Sequence, residues 1–132
     1  VCSSDLIVQR LSRAGQRSIS ALVDLSNYVM LELGQPSHVF DIDKLQGDIE
    51  VRWARLGESL ELLNGQVVQP AAPNFAGNTL KVAVVADQNG PAALAGVMGG
   101  RHCAVSDSTK NIYVEAAYWQ PSAIQGRAKS AA

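Results

Sequence analysis

Ser20-Ala21-Leu22-Val23-Asp24-Leu25-Ser26-Asn27-Tyr28-Val29-Met30-Leu31-Glu32-Leu33-Gly34-Gln35-Pro36-Ser37-His38-Val39-Phe40-Asp41 changes character at Gly34. Up to Leu33 it contains no glycine or proline, and its apolar side chains cover most of a helical circumference. Ser20 stands where an N-cap oxygen accepts a backbone N–H. The spacing predicts a helix over 21–33, buried on more than one side. Gly34 and Pro36 end it, because glycine takes the left-handed C-cap and proline has no amide hydrogen to continue the ladder. His38 is therefore expected on a loop just past a buried helix.

Upstream, Ile7, Leu11 and Ala14 fall at helical spacing and Gly15 is a stop, which predicts a short amphipathic helix over 7–14. Arg10, Arg13 and Arg17 share one face in this reading, either solvated or touching RNA phosphate. Downstream the period shortens. Ile49–Ala54 alternates, Leu60–Leu63 is a short apolar run, and Asn64-Gly65 is a hairpin signal leading into Gln66-Val67-Val68. Residues 70–78 read as loop, Leu80–Ala86 as one mostly buried strand, and Asp87-Gln88-Asn89-Gly90 as a turn. Pro91–Gly100 is a small-residue segment that lets backbone approach closely. Asn111–Ala117 is a last strand, and Pro121 opens a terminal helix at its first position. The expected class is α+β, a central β-sheet or meander flanked by helices at both ends, with no internal repeat.

The 132 residues are 47% apolar and 17% charged, enough for one core and unlike a disordered tail. Eleven basic against 12 acidic residues give a net charge of −1, which argues against a protein that wraps duplex nucleic acid through a basic face. No apolar run approaches the roughly 18–20 residues of a membrane span, so a soluble cytoplasmic domain is expected. Cys2 and Cys103 are too few and too far apart for a zinc site or disulfide framework, and both read as free thiols. Val1-Cys2-Ser3-Ser4-Asp5-Leu6 back-translates to GTG TGC TCT TCC GAT CTN, which resembles the end of a sequencing adapter. Residues 1–6 are accordingly read as an artefact and 7–132 as the domain, truncated at its C-terminus inside the helix-favouring Ala128–Ala132.

Three features could carry chemistry. His38 lies between a proline and an aromatic, where a capping or surface role competes with catalysis. Gly96-Val97-Met98-Gly99-Gly100 could present backbone N–H groups, with tight strand packing as the competing reading; it lacks the Walker pattern and its lysine. Glu115 sits in a strand that otherwise reads as buried, where an unpartnered carboxylate costs several kcal/mol; an edge glutamate facing water is the alternative. His102-Cys103 is not spaced for a metal, and Asp41/Asp43 reads as turn chemistry. No metal site is expected.

Val23–Asp41, Leu62-Leu63-Asn64-Gly65, Ala95–Gly100 and Val114-Glu115-Ala116-Ala117 together resemble the B3/B4 domain in the β subunit of bacterial phenylalanine–tRNA ligase. The blocks occur in the family's order over about residues 7–132. The resemblance implies an editing module that hydrolyses tRNA-Phe mischarged with tyrosine, inside an α2β2 enzyme whose ATP and Mg²⁺ act on the α subunit. It implies no cofactor in this stretch. The implied partners are the tRNA(Phe) acceptor end, the α subunit and the rest of the β subunit, with no membrane. His38 and Glu115 become the candidate catalytic pair. Glu115 accepts the tyrosine phenol, and His38 stands near the ester, positioning water or the terminal adenosine. Asn27, Ser26 and Pro36, with backbone at Gly96 and Gly99, are the implied substrate-binding residues. Ser26 and Ser37 depart from the family's usual Thr and larger apolar residue. The alternative is a non-catalytic scaffold or tRNA-docking domain of the same synthetase.

Overall fold

A computed structural model describes residues 4–73 and 79–125. The chain divides into two units, Val1–Asp43 with Val105–Ala117, and Lys44–Ala104 with Tyr118–Ala132. The architecture is α+β, with helices near both ends of the chain. Cys2 and Ala128–Ala132 lie outside the described residues.

In the first unit, α1 (Asp5–Arg13) begins two residues earlier than the apolar spacing predicts. Ser4 is extended and its Oγ accepts the Ile7 N–H at 3.4 Å, while Asp5 in the first turn and Arg10 and Arg13 in the last complement the helix dipole. The helix ends at Ala14, so Arg17 does not share a helical face with Arg10 and Arg13. Residues Ala21–Leu33 form α2, and Gly34 (φ 70°) returns its N–H to the Met30 carbonyl at 2.9 Å. Ser20 is extended but makes no side-chain cap. Asp24 takes over that work: wholly buried, it accepts the Ile19 N–H at 2.8 Å and the Ser18 hydroxyl at 2.6 Å. Replacing Asp24 by Ala should cost about 1–3 kcal/mol through the donors left behind. A denaturant midpoint unchanged by Asp24→Ala would remove this account of the helix start.

The expectation that α2 is buried on several sides is not met. It packs on α1 and on β1 (His38–Asp41), yet Leu25, Leu31 and Leu33 remain 50%, 45% and 74% exposed. Two neighbours cannot cover an apolar circumference. β1 pairs antiparallel with β10 (Ile112–Glu115), in the register His38↔Glu115 and Phe40↔Tyr113. His38 is thus on a strand and not on the predicted loop; the proline that ends the helix leaves the following residues extended, and a distant partner completes the ladder.

In the second unit, β2 (Glu50–Trp53), β7 (Ala83–Asp87), β8 (Gly90–Leu94) and β9 (Met98–Gly99) form an antiparallel sheet in the order β2-β7-β8-β9, whose last three strands are a meander. Two small pairs accompany it, β3 (Leu60–Glu61) with β4 (Val67–Val68) and β5 (Ala71–Pro73) with β6 (Thr79–Lys81). The Asn64-Gly65 hairpin forms as predicted: Gly65 takes φ 84° and Asn64 Oδ1 accepts the Gln66 N–H at 3.0 Å. Leu80–Ala86 is not one strand. Val82 interrupts it, giving its N–H to Pro70 and its carbonyl to Ala54, so the chain passes from β6 into β7. Ala54, Leu60, Leu62, Val68, Ala71, Val82, Val84, Ala86 and Leu94 form the core. Pro121 does open α3 (Pro121–Ile124) at its N-terminus.

Candidate functional site

Antiparallel partners put their side chains on one face, so the register gathers His38, Phe40, Tyr113 and Glu115 there. Phe40 is 1% exposed. The His38 ring packs edge-on against it, with centroids 4.5 Å apart, and the Tyr113 ring lies tilted with its centroid 6.2 Å from that of Phe40. His38 Nε2 is buried with no hydrogen-bond partner. Burial lowers the imidazole pKa below its usual value and raises the Glu115 carboxyl above its own. An ion pair between the two would move both in the opposite directions. The rung therefore joins an imidazole held neutral to a carboxyl short of solvation.

Glu115 is half-buried, but its strand is not the buried one that its composition suggests: Ile112, Tyr113 and Val114 are 40%, 37% and 53% exposed. A two-stranded ladder has no further strand to cover them. Two anchors hold β1. Ser26 Oγ on α2 donates to the Ser37 carbonyl at 3.0 Å and lies 2.9 Å from the Ser37 hydroxyl, immediately before His38. At the other end Asp41, buried, accepts the Thr109 hydroxyl at 2.6 Å and the Asp43 N–H at 3.1 Å. That is the turn chemistry expected of Asp41/Asp43. Asn27 is half-buried on α2 and Pro36 is exposed ahead of the strand.

Gly96 and Gly99 belong to the second unit. Gly96 takes φ 67°, and a Cβ there would stand 2.7 Å from Ile124 Cδ1 and 2.8 Å from Trp119 Cδ1. At Gly100 the missing side chain is replaced by the Ala92 carbonyl, 2.5 Å from a built Cβ. That glycine serves strand packing. Cys103 is a free thiol, wholly buried, donating to the Ala92 carbonyl at 3.3 Å; burial pushes its pKa up to about 11, so it is no nucleophile.

A cavity of about 570 Å³ in this unit is lined by Asp48, Glu50, Arg52, Arg55, Glu58 and Asp87, among others. Its centre is structural: Arg52 grips Glu58 through two hydrogen bonds of 3.0 and 2.5 Å, and Glu58 also accepts the Arg55 N–H at 2.7 Å. Hydrogen bonding to Arg52 holds Glu58 below the usual carboxylate range. No three metal-ligating side chains converge among the described residues.

Residue-type reasoning missed Phe40, which fixes the His38 ring. The alternation His38-Val39-Phe40-Asp41 was the available signal, since residues two apart share a strand face.

The Glu115 environment predicts a pH effect with a definite sign. A carboxyl whose pKa is raised on folding favours the native state below its unfolded pKa, about 4.3, and loses that contribution as pH rises through its folded value. Glu115→Gln should therefore unfold at a higher temperature than the parent near neutral pH and lose that advantage in acid. A destabilised Gln variant at neutral pH would mean that His38 pairs with the carboxylate.

The B3/4 domain family matches residues 1–132. The chain is 57% identical over 123 residues to the phenylalanine–tRNA ligase beta subunit of Cupriavidus pinatubonensis and 56% identical over 123 residues to that of Ralstonia nicotianae, each alignment covering 93% of this chain and 14% of the relative. It is 59% identical over 120 residues to the same subunit of Bordetella pertussis, covering 91% of this chain and 14% of the relative. The chain thus spans about one seventh of the length of the curated relatives it matches.

Proposed function

From the premise that the chain belongs to the B3/4 domain family, we propose that it is the editing module of a phenylalanine–tRNA ligase β subunit, hydrolysing tRNA(Phe) mischarged with tyrosine. The observation that carries this reading is the His38–Glu115 rung, a partly desolvated carboxyl paired in register with a half-buried imidazole whose buried Nε2 has no partner. A pocket built for phenylalanine has limited power to reject an analogue that only adds a hydroxyl, so accuracy gains from a second site that demands it. As a carboxylate, Glu115 accepts the phenol O–H and recovers solvation lost on burial. Phenylalanine leaves it unpaired.

In the reaction, water attacks the ester carbonyl carbon, the bond from that carbon to the ribose oxygen breaks, and a proton ends on the ribose oxygen. The products are tyrosine and uncharged tRNA. His38 acts as a positioning residue, its neutral ring hydrogen-bonding the water or the terminal ribose. A tyrosyl ester is longer from phenol to carbonyl than the roughly 4.5–5.5 Å between facing Cβ atoms on a ladder. The two roles therefore require the side chains to reach apart, which agrees with the His38 ring leaning on Phe40. On this reading ATP and Mg²⁺ act on the α subunit, and the soluble enzyme works in the cytoplasm.

The exposed apolar side chains of α2 and β10 favour a second reading, a scaffold that docks other parts of the synthetase. Grafting residues 7–132 into the corresponding stretch of the Cupriavidus β subunit, assembled with its α subunit, separates the two. Deacylation of Tyr-tRNA(Phe) with normal phenylalanine charging supports editing. Normal charging without deacylation leaves the scaffold.

A further inference from the structure

The arginines of the N-terminal stretch are unused by the His38–Glu115 site. Residues 6–23 contain Arg10, Arg13 and Arg17 and no Asp, Glu or Lys. All three are exposed, and none forms an ion pair among the described residues. Arg10 and Arg13, three apart, are neighbours on the surface of α1. The chain then turns at Gly15 (φ 79°), with the Gln16 N–H returned to the Leu11 carbonyl at 2.9 Å, so Arg17 follows directly on the helix end. The Arg10 guanidinium lies over the Tyr28 ring, 5.7 Å from its centroid, and donates to the Tyr28 hydroxyl. That contact uses one of its five N–H donors.

Unmatched charge supplied only by arginine suits phosphate, which the guanidinium fork grips with two parallel hydrogen bonds. A lipid surface fits less well. A basic amphipathic helix binds lipid through its apolar face, and here that face is occupied: Leu11 is wholly buried and Ile7 and Val8 are part-buried in a helix that packs on α2. Helix α2 contacts both α1 and β1. The arginines therefore stand in the same unit as the rung, with one helix between; each packing step is roughly 8–10 Å, so α1 lies about two such steps from β1. An RNA strand whose 3′ end reaches the rung brings phosphates from several nucleotides back to that range.

We infer that Arg10, Arg13 and Arg17 form a docking surface for RNA phosphates, holding the acceptor strand behind its 3′ end. Naming that strand as the acceptor of tRNA(Phe) rests on the editing reading; the phosphate surface itself does not. The test is binding of the 132-residue chain to an uncharged RNA hairpin that reproduces an acceptor stem with its CCA end, measured over a range of salt. Arg13→Gln with Arg17→Gln, which leaves the Arg10–Tyr28 contact in place, should weaken binding and reduce the salt slope of log K by about 2, one for each lost phosphate contact. The hairpin carries no amino acid, so its binding reads the surface alone, and failure of the editing chemistry is read separately in the deacylation assay. No binding to the hairpin, or an unchanged slope in the double variant, overturns the inference. So does arginine-dependent binding to phosphatidylserine vesicles without binding to the hairpin.

Discussion

Glu115→Ala in the grafted synthetase should lower Tyr-tRNA(Phe) deacylation about 10- to 100-fold while phenylalanine charging keeps its parental rate. A hydrogen bond to a charged group contributes about 1.5–3 kcal/mol, and each 1.36 kcal/mol is a factor of ten in rate. The loss falls on the tyrosyl substrate, because phenylalanine has no hydroxyl to offer. The preference for tyrosyl over phenylalanyl ester should therefore collapse along with the rate. Glu115→Gln retains an acceptor oxygen but no charge, and it should fall between the parent and the alanine variant. His38→Ala should not add fully to Glu115→Ala, since the two residues share one rung of the β1–β10 ladder and neighbouring positions couple. Deacylation unchanged in Glu115→Ala would discard the role given to this carboxylate, whatever the double variant did.

What could be read from the residues alone was mostly what neighbours in sequence dictate. The end of α2 follows from Gly34 and Pro36, the β3–β4 turn from Asn64-Gly65, and the start of α3 from Pro121. His38 and Glu115 were each visible as candidates, but their meeting was not. β1 and β10 come from opposite ends of the chain, and four residues after a proline look the same whether a distant strand pairs with them or not. The break at Val82 escaped for a related reason: its two hydrogen bonds go to Pro70 and Ala54, in different segments. Asp24 was hidden because an aspartate on a helix normally reads as solvated, and its burial depends on the Ser18–Ile19 backbone folding back over it. Local signals located the elements; long-range pairing built the site.

The second large effect is expected at Phe40. Its ring is 1% exposed and packs against both the His38 imidazole, edge-on, and the Tyr113 ring. Phe40→Ala should cost about 3–5 kcal/mol, the transfer free energy of the ring plus the cavity it leaves. Against a total of roughly 5–15 kcal/mol for a natural domain, that is a large share. It should fall first on the unit that holds β1 and β10, so amide exchange there should rise before exchange in the β2-β7-β8-β9 sheet. Phe40→Leu keeps most of the volume and provides the functional test. Burial is what lowers the His38 pKa, so thinning the wall beside the ring should admit water and return the pKa towards its usual value. An NMR titration of the His38 imidazole reads this directly. A Phe40→Ala loss below about 1 kcal/mol, well under the usual core truncation, together with an unmoved His38 titration, would mean that the ring neither supports the ladder nor dries the site. The same observation would separate Phe40 from the editing chemistry, because a positioning imidazole needs its orientation fixed by packing, and the His38–Phe40 contact is where the fold supplies it.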